Sequence, residues 1–180
     1  TPHHSMYILN TTFFLLLISQ LAMTYPELKT VPEVDVNRYA GKWFEIASYP
    51  QRFQKGCRCT TAEYTVTDKG YITVFNQCRK GTGAGKISGI KGKAFPVKGS
   101  NNAKLKVQFF WPLKGDYWII DLASDYSYAV VGTENREYLW ILSRTPKMEQ
   151  QILDKILTGI TAKGFDIDRL SFTNQDCGNL

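Results

Sequence analysis

From about residue 41 onward, apolar and polar positions alternate in short runs broken by turn residues, the period-two pattern of half-buried strands. Candidate strands are 42–49, 58–67, 71–78, 87–96, 104–111, 116–122, 127–132 and 137–144. The separators (67–70, 81–85, 99–102, 113–116, 123–125 and 132–137) are rich in Gly, Asn, Asp and Ser, which suit turn conformations. Eight strands in hairpin-like succession predict a meandering antiparallel sheet. One helix follows: Thr145 can cap it, Pro146 suits a first helical position, and Gly164 ends it. Between them Met148, Ile152, Leu153, Ile156, Leu157 and Ile160 recur at three- and four-residue spacing, a stripe expected to lie against the outside of the sheet. Residues 169–172 offer a final short strand. Such a meander either packs as two sheets or closes on itself, and a closed barrel is either filled by side chains or holds one small ligand. Alternation alone leaves these open.

The length of 180 residues suits one domain with a sizeable core, and 43% apolar composition excludes a disordered chain. The formal charge of +6 raises nucleic acid as a partner. The lysines of residues 86–106, however, alternate with apolar or small residues, which is a solvated strand face and not a nucleic-acid patch. Residues 1–5 have the look of leftover cloning sequence. Residues 6–24 hold an apolar run, Phe13 to Ile18, far shorter than the ~20 residues that cross a bilayer. They fit a secretory signal without a positive leading region; the alternative is an apolar segment packed on the domain. No cysteine follows the run, so a lipid anchor is not expected there.

Cys57, Cys59, Cys78 and Cys177 are an even number in a chain read as exported, which favours two disulfides. Cys57 and Cys59 form CxC, and both histidines lie in the N-terminal tail, so neither a metal nor a cofactor is implied. A turn at Asp68–Gly70 places Cys78 opposite Thr60, which leaves a Cys59–Cys78 bridge strained. A free, redox-active CxC is the rival reading.

The stretch "DVNRYAGKWFEIASYP" resembles the first signature of the lipocalins, a Gly-x-Trp opening the first strand after a helical turn. "SDYSYAVV" (124–131) is similar to the second, with Ser124 in place of the usual threonine, and "YLWILSRTP" (138–146) to the third. The likeness covers residues 33–177 and is strongest to the apolipoprotein D and bacterial lipocalin branch; the cysteines resemble those of plastid lipocalins. It implies an all-β, eight-stranded antiparallel up-and-down barrel with the helix outside. Gly41, Trp43, Asp125, Tyr126 and Arg144 would then close one end, with the Arg144 guanidinium over the Trp43 indole. It also implies Cys59–Cys177, which leaves Cys57–Cys78.

Strand alternation within that barrel proposes a lining: Ala62 and Tyr64; Val74 and Asn76; Ile90, Gly92 and Ala94; Leu105, Val107, Phe109 and Trp111; Tyr117 and Ile119; Trp140 and Leu142. Gly92 and Ala94 would leave room for a guest. The family implies binding and transport or sequestration of a small hydrophobic ligand: a fatty acid, lysophospholipid, sterol, retinoid or bilin. One alternative is an isomerase or de-epoxidase acting on a lipid or carotenoid, with Glu45 as candidate acid or base. Another is a membrane-surface protein using Arg52, Phe53 and Lys55 of the first loop. The expected setting is secreted or otherwise exported, whether extracellular, periplasmic or an organelle lumen.

Overall fold

The computed structural model describes residues 25–81 and 85–177, apart from the side chain of Phe53. The expected signal at 6–24 and the stretch 1–5 lie outside the described residues. Eight antiparallel strands form the barrel: β1 (Gly41–Ser48), β2 (Cys57–Val66), β3 (Ile72–Lys80), β4 (Lys86–Pro96), β5 (Lys104–Gln108), β6 (Gly115–Leu122), β7 (Tyr128–Gly132) and β8 (Leu139–Ser143). Each pairs with the next, and β1 pairs with both β2 and β8, which closes the sheet. A short β9 (Ser171–Phe172) adds to β1.

A short helix, α1 (Val36–Tyr39), enters one end of the barrel, and Asp35 caps it by accepting from the Asn37 and Arg38 N–H groups. Trp43, Val74, Ala94, Leu105, Ile119 and Val131 fill the lower interior. A second apolar layer lies outside, where α2 (Gln150–Ala162) buries Ile156 and Ile160 against Ile46, Trp118, Ile120, Val130 and Ile141. Gly164 ends α2 with a φ of +85°, as its sequence position suggests.

Two expectations need correction. The helix starts at Gln150, not after Thr145, because the Thr145 hydroxyl donates to Lys147 O at 2.7 Å instead of capping helix N–H groups. Strand β5 stops at Gln108: Leu113 N–H donates to Phe110 O at 2.8 Å, so the chain turns and Trp111 points outward, 86% exposed.

Candidate functional site

The barrel is closed where α1 enters. Trp43 is wholly buried, and its Nε1–H donates to Tyr39 O at 2.8 Å. The Arg144 guanidinium lies 3.7 Å from the centre of the Trp43 ring. Its N–H groups donate to the carbonyls of Arg38 (2.7 Å), Lys42 (2.9 Å), Tyr39 (3.2 Å) and Tyr126 (3.3 Å). A planar cation can stack its face on an indole while its edge feeds carbonyls; a lysine cannot. Gly41, beside it, has a φ of +92°, a conformation that favours glycine. Asp125 and Tyr126 build the adjacent turn. The Asp125 carboxylate accepts from Ser127 N–H, and hydrogen bonding to Ser127 holds its pKa low. The Tyr126 hydroxyl accepts from Asp35 N–H at 2.9 Å, which ties this turn to α1.

Above this floor sit three phenols. The Tyr117 hydroxyl lies 2.7 Å from that of Tyr39 and 2.8 Å from that of Tyr64. Burial is the main cause that pushes all three pKa values up, Tyr64 to about 12 and the other two well above the usual phenol range. The trio therefore stays neutral near pH 7 and satisfies itself.

From the phenols to the mouth runs a cavity of about 510 Å³, in the usual range for small-molecule sites. Ala62, Tyr64, Val74, Asn76, Val107, Phe109, Tyr117, Trp140 and Leu142 line it, and Gln51, Thr133, Asn135 and Tyr138 stand toward the rim. Trp140 is packed between two tyrosine rings, 6.5 Å from Tyr117 and 5.9 Å from Tyr138. Asn76 Oδ1 and Gln51 Nε2 are buried with no hydrogen-bond partner among the described residues. Buried polar atoms are ordinarily paired, so these two are the ones a guest would satisfy. Glu45 also reaches the cavity, but its carboxylate accepts from Gln54 Nε2 at 2.9 Å and Thr173 Oγ1 at 2.6 Å. It fastens the first loop to the C-terminal segment.

Not every expected wall residue reaches this space. At Gly92 an added Cβ would stand 2.7 Å from the Phe109 ring, so the room its small size leaves is already taken by Phe109. Ala94, Leu105 and Ile119 belong to the packed core below. Alternation assigned their faces correctly but carries no information on depth.

A model of the lipocalin-like domain matches residues 34–175. The chain belongs to the lipocalin family. This lipocalin is 41% identical over 167 residues to outer membrane lipoprotein Blc of Vibrio cholerae, covering 90% of this chain and 97% of that one. It is 34% identical over 151 residues to apolipoprotein D of Macaca fascicularis, covering 79% and 77%. It thus falls in the branch that holds Blc and apolipoprotein D. Among solved structures, insecticyanin from the tobacco hornworm Manduca sexta superposes with a TM-score of 0.66 at 19% identity, over 84% of this chain and 86% of that one. That likeness bears on the barrel alone.

In this lipocalin Cys57 is bonded to Cys78 and Cys59 to Cys177, with Cα–Cα separations of 5.5 and 6.3 Å. Strand β2 bulges between Arg58 and Thr61, and Cys59 takes a φ of +51° there. The bulge parts the two cysteines, one toward β3 and the other toward the tail, where Cys59 N–H donates to Asn174 O at 2.8 Å. In the first loop Arg52 and Lys55 are exposed. Sequence reasoning missed Tyr39 and the rim residues. Tyr39 carried a faint signal, since it stands at the end of the helical turn that precedes Gly41-x-Trp43. Tyr138 carried another, since it shares the parity of Trp140 in the expected strand 137–144, whereas Gln51, Thr133 and Asn135 lie in loops without periodicity.

Proposed function

We propose that this lipocalin binds and carries or sequesters one small hydrophobic molecule that bears a neutral, hydrogen-bond-donating head, and does not transform it. The observation that carries the reading is the unpartnered Asn76 Oδ1 in an otherwise mainly aromatic and aliphatic cavity. Burying roughly 300–400 Å² of guest surface at ~25 cal/mol per Å² supplies several kcal/mol even after ordering costs. Head-group charge is set by the lining: Glu45 is buried, and the one lining cation among the described residues, Lys114, stands at the mouth. A hydroxyl, as in a sterol or retinol, suits that interior better than the carboxylate of a fatty acid or bilin. A lysophospholipid would need its head at the mouth. The Glu45 carboxylate is taken up by two donors, and the phenols titrate too high for acid–base work near neutrality. Two disulfides fit an oxidising, exported setting.

The test is equilibrium binding of retinol and of retinoic acid, two guests that share a skeleton and differ in the head, followed by tryptophan quenching. Retinol is expected to bind saturably at one site and about tenfold or more tighter than retinoate, as one buried unpaired group is worth ~1–3 kcal/mol. Asn76→Leu should narrow that preference while leaving the fold at least as stable. Tighter retinoate binding would refute the neutral-head reading, and no saturable binding of either would refute the carrier.

A further inference from the structure

The mouth also carries an exposed apolar tip. On the loop between β5 and β6, Phe110 is 68% exposed, Trp111 86% and Leu113 73%. The Leu113 N–H to Phe110 O hydrogen bond closes a turn with Trp111 and Pro112 at its apex. Single exposed apolar residues are ordinary, but three large ones within four positions form a patch that marks an interaction surface. Phe110 and Leu113 line the cavity mouth as well, so the tip is continuous with the opening.

The same end of the barrel is basic. Arg52, Lys55, Lys80, Lys86 and Lys114 are all exposed there, on three different loop regions, and none makes an ion pair among the described residues. Glu134 and Glu137, on the loop between β7 and β8, and Asp176, beside the Cys59–Cys177 bridge, are exposed acids of the same end. The cations are spread around the rim, where Ile87 and Tyr138 are exposed beside them, and the largest apolar cluster is the Phe110–Leu113 tip. A plane of diffuse negative charge over an apolar interior matches this distribution; a fitted protein pocket would need its contacts gathered on one side. Tryptophan favours the membrane–water boundary, and apolar insertion joined to electrostatic attraction is how proteins hold to anionic bilayers.

We propose that the Phe110–Leu113 tip docks on an anionic lipid surface with Trp111 at the boundary, which holds the cavity mouth against the membrane so that a guest can pass between them. Docking does not depend on the identity of the guest; only the transfer step rests on the carrier reading.

The test uses the full chain with vesicles of equal parts phosphatidylcholine and phosphatidylglycerol, and with phosphatidylcholine alone. Lipids brominated in the acyl chain should quench tryptophan emission on the anionic vesicles, and the quenched component should vanish in Trp111→Phe. Trp111→Ser should weaken partitioning about tenfold, and molar salt should weaken it further. Retinol binding in solution should be unchanged in Trp111→Ser, so a failure to dock is read separately from a failure of the cavity. Equal quenching in the wild-type chain and Trp111→Phe would overturn the proposal, as would equal binding to neutral and anionic vesicles. Self-association that Trp111→Ser abolishes, without quenching by lipid, would place a second copy on the tip and overturn it too.

Discussion

Replacing Arg144 by methionine keeps a flexible side chain of similar length over Trp43 but removes the planar cation and its N–H groups. The stacking at 3.7 Å is worth roughly 1 kcal/mol at a half-buried position. The two shortest hydrogen bonds, to Arg38 O at 2.7 Å and Lys42 O at 2.9 Å, involve a charged donor and contribute roughly 1.5–3 kcal/mol each before rehydration of the carbonyls. Because Arg144 is not fully buried, water recovers part of that loss, and a total of about 3–4 kcal/mol is expected. That is a large share of the ~5–15 kcal/mol that holds a domain folded, and it lowers Tm by about 10 °C at this chain length. The assay is equilibrium urea unfolding under non-reducing conditions, with Arg144→Lys alongside. Lysine restores charge without a planar face or fork, so it should recover less than half. A loss below ~1 kcal/mol in Arg144→Met, or full stability in Arg144→Lys, would refute the account of the closed end.

Alkaline pH should destabilise the fold. Tyr39, Tyr64 and Tyr117 have raised pKa values, so above pH ~10 the unfolded chain releases phenolic protons that the folded chain keeps. Their contribution is whole below pH ~10 and falls by about 1.4 kcal/mol per pH unit for each phenol as pH rises toward 12, the region where Tyr64 ionises. Denaturant midpoints from pH 9 to 11.5 check this, and Tyr117→Phe should flatten the decline. A Gly92→Val substitution would drive Cβ into the Phe109 ring and Gln108 O, at 2.7 and 2.8 Å. It should cost about 1–3 kcal/mol of stability and, by pushing Phe109 inward, weaken retinol binding; unchanged affinity would show that Phe109 does not bound the cavity.

The strand succession was legible because a barrel wall separates an apolar interior from water, and that contrast prints a period of two on the sequence. The Gly41-x-Trp43 and Arg144 pairing was legible through family resemblance, since the pair is far apart in sequence. Trp111 misled because a strand-like run continues through it, and the turn that ends β5 is a local backbone event. Thr145 misled because its hydroxyl donates to the nearby Lys147 carbonyl, whereas a cap would have to accept from helix N–H groups that begin only at Gln150. The cavity's depth was not legible: Gly92, Ala94 and Val107 alternate inward alike, yet Val107 alone of the three borders the space, because Phe109 lies over Gly92. The phenol trio was hidden since Tyr39, Tyr64 and Tyr117 come from three elements whose meeting depends on the closed barrel.

The most direct measurement is a retinol titration of the wild-type chain beside Ala62→Trp, a change on the cavity wall that fills the space from within. Far-ultraviolet circular dichroism establishes that the barrel persists. One saturable site in the wild type, at micromolar affinity or tighter, and its loss in a folded Ala62→Trp is the predicted result. Equal binding by the two chains would contradict it, because the guest would then lie outside the barrel.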